Sequence, residues 1–246
     1  MSKIAIIGGT GLTSLNNIEI IGREIVHTKY GEPSAPMIRG TLAGHEIMFL
    51  ARHGHGHTIP PHKINYRANI AALKDAGVEK IIAINAVGGI TEKMLPKAIV
   101  LPDQIIDYTW SRINTFFEEG LEQVVHIDFT NPYCQELREQ IISASVATKI
   151  KLVTDGTYAA TQGPRLETTA EVIRLERDGC DLVGMTGMPE ASLARELELC
   201  YASICVVANM AAGKGPDEIT MEEIEKNLYT GMDDVRVLLE SVISSL

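Results

Sequence analysis

Short apolar runs and polar, glycine-containing loops alternate along the whole chain. Residues 4–7 form a continuous apolar run of buried-strand type, and Gly8-Gly9-Thr10-Gly11 follows at once. Stretches 18–26, 37–42 and 46–50 predict further strands, with Ala43-Gly44 as a turn between the last two. The spacing of Ile64, Ala68, Ala71, Ala72 and Leu73 predicts a helix with Asn65 as its N-cap and Gly77 beyond its end. Strands are expected at 80–84, 99–101, 104–107, 156–160, 181–183 and 200–207, and helices at 133–147, 168–178 and 189–197. Thr168 and Glu171 have capping-box spacing. A last helix opens at Thr220 and carries Ile224, Leu228, Met232, Val235, Leu239 and Val242 on one stripe, which reads as packing. Strands and helices alternate without repeat or linker, which predicts one α/β domain over residues 1–246, with helices flanking a largely buried sheet.

Composition narrows the partners. A net charge of -10 without a Lys/Arg stripe argues against nucleic acid and anionic membrane, so the expected partner is small. No apolar run approaches a membrane span, and the apolar N-terminal stretch is too short for a signal peptide. Cys134, Cys180, Cys200 and Cys205 show no Cys-x-x-Cys spacing and read as buried reduced thiols, which fits a cytoplasmic location.

Against the acidic background, Arg52, Lys63, Arg67 and four histidines gather within residues 52–67, where a strand gives way to a loop. Arginine offers a planar fork to oxyanions and imidazoles add donors, so a small-anion site needs nothing more. Two rival readings stay open: a metal held by the His-x-His repeats, and a solvated loop. Gly54 and Gly56 and the absence of acidic residues between Glu46 and Asp75 weigh against the metal.

Other strand ends add polar groups. Gly8 to Gly11 suggests a ligand loop or a tight turn, and lacks the full dinucleotide fingerprint. Asn85-Ala86-Val87-Gly88-Gly89 reads equally as a turn or a cradle of exposed amides. The excursion 108–123 is long enough for a lid or subunit contact. His126 closes it, and on its own reads as structural more readily than functional. Glu167 lies at a helix entrance, Glu190 lies beside Thr186, and Asn209 follows the last strand.

Six motifs occur here in the order seen in trimeric nucleoside phosphorylases: Gly8-Gly9-Thr10-Gly11, Arg52-His53-Gly54, 65–69 (Asn-Tyr-Arg-Ala-Asn), 85–89 (Asn-Ala-Val-Gly-Gly), 163–168 (Gly-Pro-Arg-Leu-Glu-Thr) and 185–190 (Met-Thr-Gly-Met-Pro-Glu). Over almost its whole length the chain resembles the purine nucleoside phosphorylase and methylthioadenosine phosphorylase family. The resemblance implies a twisted mixed central sheet and a pentosyltransferase that needs no metal or other cofactor, inorganic phosphate being a co-substrate. It implies that Thr10, Arg52, His53, Asn85, Ala86 and Thr186 hold phosphate and that Met185 packs under the ribose. Leu166 joins the substrate pocket, while Tyr66, Gln162 and Glu190 lie near the sugar or in the shell behind it. A homotrimer or a dimer of trimers is expected, with His126 entering a neighbouring subunit's site.

Family members that cleave 6-aminopurines carry aspartates at the positions matching Asn209 and Ala211 and a serine where this chain has Glu167. With those features absent, Glu167 can accept from the N1–H of a 6-oxopurine while Asn209 contacts N7 and O6. Adenine would set a bare acceptor against the carboxylate, at a cost of about 1 to 3 kcal/mol or more. His57 and His126 match histidines that flank a 5′-alkylthio group. The implied reaction is phosphorolysis of S-methyl-5′-thioinosine, with phosphate displacing the base through an oxocarbenium-like transition state. Asn209, Glu167 and His53 are the expected catalytic groups. Ordinary inosine or guanosine and methylthioadenosine are the alternative substrates, and a Rossmann-type nucleotide-binding protein is the alternative class.

Overall fold

The computed structural model describes residues 3–9, 18–215 and 219–245. It is a mixed α/β single-domain structure built on an 11-stranded sheet. The strands are β1 (Lys3–Gly8), β2 (Glu19–Glu24), β3 (Met37–Leu42), β4 (His45–Ala51), β5 (Val78–Gly89), β6 (Ile99–Val100), β7 (Gln104–Asp107), β8 (Leu152–Val153), β9 (Thr157–Ala160), β10 (Leu182–Gly184) and β11 (Cys200–Met210). The helices are α1 (Tyr66–Asp75), α2 (Gln135–Thr148), α3 (Thr169–Arg177), α4 (Gly187–Glu196) and α5 (Met221–Ser245).

β5 is the centre of the sheet. It runs parallel to β1 on one edge and to β11 on the other, while β10 returns antiparallel to its end. Helices α1 and α4 cover one face and α2 and α5 the other. The α5 stripe supplies Leu228, Met232, Val235, Leu239 and Val242 to the second core. Burial of such side chains, worth about 1.5 to 3 kcal/mol each, holds the helices on the sheet.

Local capping follows the sequence. Asn65 caps α1 by accepting from Ala68 N, and Gly77 takes a φ of 79° past the helix end. Thr168 and Glu171 complete the reciprocal capping box of α3. Three expectations are corrected. β5 continues through Asn85 to Gly89 because β11 pairs with it along its length, so this segment is strand rather than turn. Met188 and Pro189 have non-helical backbone angles and kink α4 at its start. Cys134 and Cys200 are joined in a disulfide, since the Cys134 N–H donates to the Tyr201 carbonyl and seats the start of α2 on β11 with Cα atoms 5.1 Å apart. Only Cys180 and Cys205 remain buried thiols, so the cysteines no longer argue for a reducing compartment. Among the described residues no helix is long and apolar enough to cross a membrane.

Candidate active site

Two strands approach the same edge of β5 from opposite ends. The β1 ladder stops at Ile7 opposite Ala83, and β10 begins pairing at Val183 opposite Gly88. Between them, residues 84–87 have no strand partner on that edge among the described residues. The Ile84 carbonyl points into this gap, where it accepts from Arg52 Nη1 at 3.1 Å. Strand backbone groups alternate in direction, so the Ala86 N–H faces the same gap. A cavity of about 210 Å³ opens there, lined by Ile84, Asn85, Ala86 and Val87. Gly9, Arg52, His53, His57, Leu166, Glu167, Met185, Thr186 and Asn209 share it.

β4 delivers Arg52 to the floor, where it is 1% exposed. Its Nε and Nη2 form a bidentate pair with Glu190, at 2.7 and 2.8 Å. Burial alone would lower the Arg52 pKa, but the Glu190 carboxylate outweighs it and the net shift is upward. Tyr201 Oη donates to Glu190 Oε1 at 2.9 Å, so Glu190 stands behind the arginine, not in the cavity.

His53 stacks on His57 with ring centroids 4.1 Å apart. Its Nδ1 lies 2.8 Å from the Ile59 carbonyl, and a carbonyl only accepts, so Nδ1 carries the proton. The lone pair of a neutral ring is then on Nε2. Burial holds the His53 pKa down at about 4, and burial also lowers that of His57. Asn85 and Thr186 are joined, the Thr186 hydroxyl donating to Asn85 Oδ1 at 2.8 Å.

Glu167 and Asn209 are each held by a hydrogen bond of their own. Glu167 Oε1 accepts the Thr161 hydroxyl at 2.6 Å, leaving Oε2 for another partner. A bulge in β11 interrupts the ladder between Val207 and Asn209, the sort of kink that re-aims a side chain at a strand end. Asn209 Nδ2 donates to the Met210 carbonyl at 2.7 Å, which leaves its Oδ1 and second N–H. Gly163 brings the loop before Glu167 against Met185: its φ is 61°, and a Cβ there would sit 2.4 Å from Met185 Sδ.

Thr10 lies outside the described residues. The positive island disperses, because Arg67 pairs with Glu118 and packs over Tyr30, while His55 and Lys63 are exposed. His126 is exposed on the excursion and does not line the cavity of its own chain. Tyr66 and Gln162 lie behind the cavity wall, both bonded to Arg112. Among the described residues no group of three His, Cys, Asp or Glu side chains is gathered as for a metal ion.

Arg112 is a residue that sequence reasoning missed. It reaches in from the excursion and donates to the carbonyls of Thr161, Gln162, Met185 and Met188. It thereby ties together the loops carrying Glu167 and Thr186. Ile224, Leu228 and Met232, read as packing, also wall the cavity, with Ile219 beside them.

The sequence profile of the phosphorylase superfamily matches residues 3–244. A protein of Pseudomonas syringae pv. tomato named "Probable S-methyl-5'-thioinosine phosphorylase" is 55% identical over 245 residues, covering 100% of both chains. A Pyrococcus furiosus protein named "6-oxopurine nucleoside phosphorylase" is 46% identical over 248 residues, covering 99% of this chain and 92% of that one. Among solved structures, methylthioadenosine phosphorylase from Schistosoma mansoni in complex with adenine superposes with a TM-score of 0.95 at 32% identity, over 100% of this chain and 92% of that chain. With this fold, this cavity and a profile match over nearly its whole length, the chain belongs to the phosphorylase superfamily.

Proposed function

We propose that the protein is a pentosyltransferase that cleaves 6-oxopurine nucleosides with inorganic phosphate, and that its substrate is S-methyl-5′-thioinosine, giving hypoxanthine and 5-methylthioribose 1-phosphate. The observation that carries this reading is one shared cavity. Arg52, His53 and the Ala86 amide, which suit an oxyanion, line the same space as Asn209 and Glu167, which suit a purine.

In this reading Arg52, His53, Asn85, Ala86 and Thr186 bind phosphate, joined by Thr10, while Met185 and Leu166 pack on the nucleoside. Phosphate attacks the anomeric carbon as the bond to the base nitrogen breaks, and a new carbon–oxygen bond forms with inversion. The phosphate charge stabilises the ribosyl cation in the transition state. Asn209 and Glu167 stabilise the departing purine as it gains negative charge and a proton near N7. A 6-oxopurine offers N1–H to the Glu167 carboxylate, and a 6-aminopurine does not.

The 5′-methylthio preference is supported by His57, by the apolar wall of Ile219, Ile224, Leu228 and Met232, and by the name of the 55% identical relative. The second substrate reading, inosine or guanosine, is favoured by the name of the 46% identical relative. We place the chain in a homotrimer, with His126 completing a neighbour's site; Trp110, Ile113, Val124 and Val125 expose apolar surface on the same excursion. The deciding experiment measures kcat/KM for methylthioinosine, methylthioadenosine, inosine and guanosine with and without phosphate. Methylthioinosine is expected to lead, and phosphate-independent release of base would overturn the assignment.

A further inference from the structure

Ser203 lies inside β11 between Ala202 and Ile204 and is 1% exposed. A hydroxyl buried in an apolar strand destabilises the fold unless a partner satisfies it. It has two partners: Asn85, whose Nδ2 donates to Ser203 Oγ at 2.7 Å, and Cys205, whose Sγ lies 3.4 Å from the same oxygen. The sheet register creates the pair: Cys205 is opposite Asn85, and Ser203, two residues earlier, points to the same face. Asn85 Oδ1 then accepts the Thr186 hydroxyl. Asn85 and Thr186 line the cavity, whereas Ser203 lies behind its wall.

We infer that Ser203 is a positioning residue for the anion end of the cavity, holding Asn85 in the one amide orientation that also fixes the Thr186 hydroxyl. The inference rests on the proposed role of Asn85 and Thr186 in binding phosphate. The terminal torsion of asparagine is broad, so the side chain needs a partner at each end to select one plane. Ser203 supplies one and Thr186 the other. The base end has its own anchors, Thr161 for Glu167 and the Met210 carbonyl for Asn209. Loss of Ser203 therefore falls on one substrate and spares the other.

The test is steady-state kinetics with each substrate varied in turn. Ser203→Ala is expected to raise the KM for inorganic phosphate about tenfold and to leave the nucleoside KM within about twofold. Ser203→Cys keeps the side-chain shape but replaces the hydroxyl with a somewhat larger, weakly hydrogen-bonding thiol, and is expected to show the same split. In an Asn85→Ala background, Ser203→Ala is expected to add less than about twofold to the phosphate KM. An unchanged phosphate KM in Ser203→Ala, equal rises for both substrates, full additivity with Asn85→Ala, or failure of both Ser203 variants to fold would each overturn the inference. Base release by the wild-type chain without phosphate would instead overturn the proposed function, and this inference with it.

Discussion

Arg52 and Glu190 meet through two parallel charge-assisted hydrogen bonds in a site where the side chains are 1% and 0% exposed. The pair joins the end of β4 to α4, 138 residues later in the chain. A buried ion pair gains little over an apolar one, but removing one partner strands the other charge. Glu190→Ala is therefore expected to cost about 3 to 5 kcal/mol in urea unfolding. Where the variant folds, its phosphate KM should rise while its nucleoside KM changes little.

In the proposed reaction Asn209, which lines the cavity, follows charge onto the leaving base. Asn209→Ala is expected to lower kcat by about 10² to 10³ with a 6-oxopurine nucleoside, while the phosphate KM stays within a few-fold. Normal turnover in this variant would remove Asn209 from the leaving-group contact.

His53 gives the site a pH signature. Its folded pKa, about 4, lies below its ordinary 6.5, so the unfolded chain binds the proton first. The neutral ring's contribution to stability is complete above pH 6.5 and is lost as pH falls toward 4. His57 is shifted the same way by burial. His53→Gln should flatten the stability curve in this window, which denaturant unfolding at several pH values measures. The Nε2 lone pair of the neutral ring can accept the P–OH hydrogen of monohydrogen phosphate, so phosphate should bind above neutral pH without proton uptake by His53. Calorimetry in two buffers of different ionisation enthalpy should then give the same binding heat.

Arg112 fixes two loops at once. Arg112→Met is expected to lower kcat/KM for the nucleoside by at least about tenfold, because misplacement near 1 Å at a reacting centre has effects of this order or larger. Arg112→Lys should recover little, since a single ammonium cannot reproduce the fork.

Much of this arrangement was legible in the sequence because local chemistry dictated it. The caps at Asn65 and Thr168, the apolar runs of β1 and β11, and the α5 stripe each follow from spacing alone. What escaped was long-range. The 85–89 segment read equally as a turn or a cradle of amides because its residues are small, yet pairing with β11 keeps it extended. Arg67 looked like part of an anion cluster, but Glu118, 51 residues away, takes its charge. Arg112 carried no motif, and its role depends on four carbonyls from two distant loops. The Cys134–Cys200 pair, 66 residues apart, was equally hidden until α2 and β11 were seen to meet.

Phosphorus NMR of a reaction containing S-methyl-5′-thioinosine and inorganic phosphate tests the central claim most directly. One sugar 1-phosphate should form for each hypoxanthine released, with neither product when phosphate is withheld. Hypoxanthine appearing with free methylthioribose, while inorganic phosphate remains unconsumed, would contradict it.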